Sequence, residues 1–328
     1  MRRWRRVGVA LLFGAAACAP DARTETTPTP TRETEVLVAA DDSTWLAGTL
    51  TRPVAHVVGG RLAAVLLISG SGPQDRDGSR LELPGYAPWR DVSEALVAQG
   101  MAVLRLDDRG TGRSTGRFAG ATTDDFARDA AAAVAWLRRQ PGIDSLRVGL
   151  VGHSEGAVVA LLVARADSAV RALVLLGAPS RSGREIARWQ RQELVSGDLA
   201  RWPVEAQRSV LAAADSAAES AAVHDAWLRR WFALDPREVA AGVRQPVLLV
   251  HGDTDRQVPP SHADELAAVL RQAGAQPVQV QHLRDTDHLL LADVDGDPQG
   301  YVRLTERRVR ASAISATTHF LSIHMASR

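Results

Sequence analysis

The chain has 328 residues, 45% of them apolar, and a net charge of +1. That length suits one large domain or a domain carrying an insertion, and a charge so near zero gives no reason to propose a nucleic-acid partner. Lysine is absent and all 39 basic residues are arginine, which excludes Ser-Lys dyads and pyridoxal chemistry.

Residues 1–18 read as a secretory signal. Arg2, Arg3, Arg5 and Arg6 form a basic start, and 7–17 is an apolar run too short to span a bilayer. Ala15-Ala16-Ala17 stands directly before Cys18, the single cysteine, and resembles a bacterial lipobox. Lipidation of Cys18 would tie the protein to a membrane. Cleavage after an Ala-x-Ala site is the alternative and would leave a soluble periplasmic protein. Either route predicts export to the bacterial cell envelope. With one cysteine the chain has no internal disulfide, and cysteine is not the nucleophile. Residues 19–34, rich in Thr, Pro and charge, read as a disordered tether before a folded domain over 35–328.

The domain opens with two short strands, 36–38 and 46–50, joined through Asp41-Asp42-Ser43. Residues 62–69 are continuously apolar, as in a strand buried on both faces. The loop behind it, 70–78, is Gly-rich, so its backbone can approach a ligand. The Ser71 amide is the expected donor to an oxyanion there, with a plain Gly-Pro turn as the alternative. A helix is expected over 89–99, closed by Gly100, and a strand over 101–106. The loop 107–114 is glycine-rich but opens no helix and has the wrong spacing for a dinucleotide fingerprint. Asp107, Asp108 and Arg109 in it read as a charge network bracing the loop. A helix over 123–140, stopped by Pro141-Gly142, follows.

Next, an apolar strand runs into Gly152-His153-Ser154-Glu155-Gly156 and then into an Ala/Val/Leu-rich helix. This is the pattern of a nucleophile elbow: a serine forced into a sharp strand-to-helix turn, with the first helix amides aimed at it. Gly152 and Gly156 leave room where side chains would strike the neighbouring strand and helix. His153 is expected to pack against the elbow. After a strand at 169–176, residues 180–244 break the rhythm. They are helical in composition, hold Trp189, Trp202, Trp227 and Trp231, and read as an inserted cap whose tryptophans either line a pocket or glue the cap together.

The sheet resumes at 246–250. A carboxylate on the following loop, Asp253 or Asp255, lies where ligands and catalytic groups gather at the ends of parallel strands, and the resemblance given below favours Asp255. A helix over 261–273 with Ser261 as its cap, a strand over 278–283 and a helix over 301–323 complete the domain. Of five histidines after Asp255, only His288 falls on a loop beyond a strand. Ser154, Asp255 and His288 thus occur in the order of an α/β-hydrolase triad. Serine needs a base, histidine titrates near neutral pH, and a carboxylate fixes its tautomer.

The chain resembles the α/β-hydrolase superfamily, and within it bacterial secreted esterases of the EstD type. The resemblance is carried by Ser69-Gly70-Ser71-Gly72-Pro73-Gln74-Asp75-Arg76-Asp77, Asp107-Asp108-Arg109-Gly110-Thr111-Gly112-Arg113-Ser114, Gly152-His153-Ser154-Glu155-Gly156, His251-Gly252-Asp253-Thr254-Asp255-Arg256-Gln257-Val258-Pro259 and His288. It departs from many relatives at Ser69, where they have histidine, and in its individual cap. It implies an α/β fold with a mostly parallel central sheet, helices on both faces and an inserted helical cap. It also implies hydrolysis of small carboxylic esters with short to medium acyl chains through an acyl-enzyme on Ser154, with no cofactor, no metal and no protein partner. The oxyanion would sit on the amides of Ser71 and Glu155; the Glu155 side chain itself has no assigned task. A serine peptidase of the same fold acting on short peptides is the nearest alternative, with Glu155 or a cap arginine as the anchor for a peptide terminus. A thioesterase would rarely meet acyl-CoA after export, and a haloalkane dehalogenase would need Asp at position 154. A catalytically silent binding protein of this fold is argued against by the intact order of nucleophile, acid, base and oxyanion loop.

Overall fold

The computed structural model describes residues 30–54, 60–197 and 199–327. The signal, Cys18 and most of the tether lie outside the described residues.

Eight strands form one sheet. They are β1 (Thr31–Ala39), β2 (Trp45–Pro53), β3 (Leu62–Ile68), β4 (Ala102–Leu106), β5 (Ile143–His153), β6 (Leu173–Leu176), β7 (Val247–Gly252) and β8 (Val278–Leu283), in the order β1-β2-β4-β3-β5-β6-β7-β8. The β1–β2 and β2–β4 pairs are antiparallel; all others are parallel. The parallel strands alternate their side chains between two buried faces. Ala64, Leu66, Leu150, Leu173 and Leu249 face α2 (Thr123–Arg138), α3 (Glu155–Ala166) and α8 (Ser261–Ala273). Val65, Leu67, Val151, Val174 and Val250 face α1 (Pro88–Ala98) and α9 (Ala311–His324). Covering both faces lets these strands be apolar throughout, and it leaves the carboxyl ends of the strands as the edge where loops meet. Between β6 and β7 run α4 (Gly183–Gly197), α5 (Val204–His224), α6 (Ala226–Ala233) and α7 (Pro236–Ala240).

Three local expectations are corrected. The disordered tether to residue 34 is too long, because β1 begins at Thr31 and pairs with β2 from Thr31↔Pro53 onward. Its polar side chains hid it, yet Glu33 and Glu35 accept hydrogen bonds from Thr51 and Thr49 on β2. Ser261 is not the cap of α8: Pro260 holds that place with helical dihedrals and no side-chain cap hydrogen bond, and Ser261 is the first helical residue. The final helix is not continuous from 301. A 3-10 helix (Pro298–Arg303) and α9 are separated because the Val309 amide is drawn to the Asp91 carboxylate and the Arg310 amide to the Leu290 carbonyl.

Candidate active site

Ser154 stands between β5 and α3 with φ 56° and ψ −120°. A non-glycine residue there is strained by about 1–3 kcal/mol, and the surroundings must hold it. They do so through backbone contact. The Ser154 amide donates to the Leu176 carbonyl on β6. A Cβ on Gly152 would lie 2.2 Å from the Gly156 carbonyl oxygen, and one on Gly156 would lie 2.3 Å from that of Ser69. The helix therefore touches β3 and the end of β5 so closely that only glycine fits at either place.

Asp255 and His288 come together from the loops after β7 and β8. His288 Nδ1 lies 2.7 Å from Asp255 Oδ2, and both side chains are almost wholly buried. Asp255 Oδ1 accepts the amides of Gln257 and Val258, each at 2.8 Å. Its Oδ2 also lies 3.1 Å from His251 Nε2. Burial by itself would raise the Asp255 pKa, but the charge of His288 and the hydrogen bonds from His251 and His288 outweigh it and hold the carboxyl well below its usual range. Asp253, the other sequence candidate, is exposed.

His153 Nε2 lies 2.8 Å from the His288 carbonyl oxygen, with the two rings 4.7 Å apart between centroids. Desolvation, with His288 beside it, pushes the His153 pKa down to about 3, so its ring is neutral and Nε2–H donates to that carbonyl. This places the β8 loop on the elbow. His251 and His153 are thus two groups that orient Asp255 and His288 and that the sequence reading did not use in that way. The only signal for His251 was its position four residues before Asp255.

Ser154, His288, Gly70 and Ser71 share one cavity of about 250 Å³. Ile186 of α4 and Trp227, Leu228, Trp231 and Phe232 of α6 form its apolar wall, and Arg80 and Gln257 add polar groups. Trp227 and Trp231 stack with ring centroids 6.2 Å apart, so these two tryptophans both line the cavity and pack on each other. Trp202 is exposed.

The loop behind β3 is held from below. Asp108 Oδ2 accepts the Gln74 amide at 2.9 Å, and Asp107 Oδ1 accepts the Arg76 amide at 2.8 Å and its guanidinium at 3.1 Å. Arg109 does not join them; it grips Asp129 of α2 through two hydrogen bonds. Among the described residues, no group of three or more His, Cys, Asp or Glu is arranged to hold a metal ion.

Sheet order, helices on both faces and a serine at the strained β5–α3 turn together define an α/β hydrolase. The chain belongs to the serine aminopeptidase S33 family, whose model matches residues 87–295. It is 30% identical over 247 residues to an uncharacterised protein of Mycobacterium tuberculosis, covering 74% of this chain and 68% of the relative. Among solved structures, an esterase from Pyrococcus furiosus superposes with a TM-score of 0.61 at 19% identity, covering 94% of this chain and 97% of that one. The esterase domain of a Rhodothermus marinus protein gives 0.55 at 19% identity, covering 90% and 100%. At such identities these likenesses speak to the fold.

Proposed function

We propose that this hydrolase cleaves carboxylic esters of short to medium acyl chain through Ser154, His288 and Asp255. The observation that carries the proposal is the 2.7 Å contact from His288 Nδ1 to buried Asp255, made beside a cavity that His288 shares with the strained Ser154. A carboxylate on Nδ1 fixes the proton there and leaves Nε2 as the base. Ser154 Oγ attacks the acyl carbonyl as Nε2 takes its proton. The tetrahedral oxyanion rests on the amides of Glu155 and Ser71, a kind of contact worth about 10²–10³ in rate per donor. His288 then protonates the departing alcohol, and water, activated by the same base, releases the acyl group. The inserted helices act as the cap, whose apolar wall suits an alkyl or aryl acyl group.

Peptidase action is the second reading, favoured by the description of the matching family. Binding a free amine calls for a carboxylate, and no Asp or Glu occurs among the described residues lining the cavity. Glu155 does not serve, because its oxygens are occupied by Ser71, Thr123 and Trp227. The test is hydrolysis of p-nitrophenyl esters from acetate to palmitate beside alanine p-nitroanilide, with Ser154→Ala as control. Ester turnover that Ser154→Ala abolishes supports the esterase reading; turnover of the anilide alone would replace it. Export, with lipidation at Cys18, remains part of the proposal, and the mass of the mature N-terminus decides it.

A further inference from the structure

Glu155 follows the nucleophile directly, yet its side chain is 1% exposed. Its carboxylate accepts the Ser71 hydroxyl at 2.7 Å, the Thr123 hydroxyl at 2.6 Å and the Trp227 indole N–H at 2.9 and 3.2 Å. Those three donors belong to three separate parts of the molecule: the loop after β3, the first turn of α2, and α6 of the inserted helices. A buried carboxylate is costly unless its lone pairs are filled, so each donor is bound to the others through the same two oxygens. Its place in the first turn of α3 adds the favourable end of the helix dipole. Beside it, Arg230 of α6 grips Asp124 of α2 through hydrogen bonds of 2.6 and 2.9 Å, so α6 is tied directly to α2 next to the Thr123 that shares Glu155 with Trp227.

We propose that Glu155 is a positioning residue that latches the cap to the oxyanion loop. Through it, the seating of Trp227 against the body of the enzyme sets the position of Ser71. Ser71 and Glu155 are also the two residues whose amides are assigned to the oxyanion. One carboxylate therefore joins the cap wall, the loop donor and the elbow donor. With Trp227 seated, Ser71 is held beside Ser154. With Trp227 displaced, Glu155 loses its indole donor and its hold on Ser71 loosens. The cap then contributes to the chemical step as well as to substrate binding. This inference rests on the esterase reading for its kinetic consequence, while the latch itself can be read without substrate.

The test uses full-length folded protein with ¹⁵N-labelled tryptophan. The Trp227 indole N–H signal is assigned by its loss in Trp227→Phe. Ser71→Ala removes one hydroxyl from an exposed loop and none of the hydrogen-bond partners of the indole, yet the latch requires it to shift the Trp227 signal, as Glu155→Gln must. A Trp227 signal unmoved by Ser71→Ala overturns the inference. In the kinetic arm, with p-nitrophenyl butyrate, Trp227→Phe and Ser71→Ala each lower kcat about tenfold with KM changed less than about twofold, and the double variant is no worse than the poorer single one. Effects that multiply independently, or a change confined to KM, contradict it. Wild-type protein that turns over no ester and takes up no fluorophosphonate overturns the esterase reading and this inference together. An active wild type with independent variants overturns this inference alone.

Discussion

At the scale of single residues, Asp255 has both carboxylate oxygens engaged before substrate arrives. Asp255 spends one oxygen on two amides and the other on His288 and His251. That commitment holds the imidazole in one tautomer. Asp255→Asn keeps the shape but reverses the hydrogen bond to His288, so kcat for a p-nitrophenyl ester should fall about 10³–10⁴-fold with KM little changed. A loss below tenfold in stopped assays would show that Asp255 does not orient the base. Two other histidines bear on stability. Desolvation pushes the pKa of His153 down to about 3 and that of His262 down to about 4, and His262 Nδ1 accepts the Ser180 amide. An imidazole whose folded pKa lies below its unfolded value near 6.5 contributes stability that is present above about pH 6.5 and lost as the pH falls toward the folded value, because the unfolded chain takes up the proton first. Thermal midpoints should therefore fall between about pH 6.5 and 4, and His262→Gln should make that fall shallower. An unchanged slope in calorimetry would assign the acid instability elsewhere.

At the scale of elements, the β5–α3 turn is the least forgiving place in the fold. A Cβ on Gly156 meets the carbonyls of both Ile68 and Ser69 within 2.4 Å, and these are backbone atoms that cannot rotate away. Gly156→Ala should lower stability by about 3 kcal/mol or more and depress activity together with it. A thermal midpoint equal to wild type would mean that α3 can slide away from β3. The elbow was legible in the sequence because its constraint is local: two glycines bracket a serine where an apolar strand becomes an apolar helix. The order Ser154, Asp255, His288 was legible for the same kind of reason, since each residue ends a strand or stands in the loop beyond one. What the sequence hid were pairings between distant segments. The outer half of β1 is polar and reads as tether, and only its register against β2 makes it a strand. The break before α9 depends on Asp91 in α1, far away in the chain. The task of the Glu155 side chain could not be read, because its three donors come from positions 71, 123 and 227.

At the scale of the whole molecule, the sheet carries Ser154 at the end of β5, while loops after β3 and β8 bring Ser71 and His288 to the same cavity and the loop after β7 sets Asp255 against His288. The helices between β6 and β7 close over the same edge, through Trp227 to Glu155 and through Arg230 to Asp124. The same helices supply the apolar wall of the cavity of about 250 Å³. The central claim is that Ser154 is an activated nucleophile in the folded protein. The most direct measurement is reaction with a fluorophosphonate followed by peptide mass spectrometry, in folded, heat-denatured and Ser154→Ala protein. The expected result is one adduct per chain on the peptide containing Ser154, absent from the denatured and Ser154→Ala samples. No adduct on folded protein, or an adduct on another residue that survives Ser154→Ala, would contradict it.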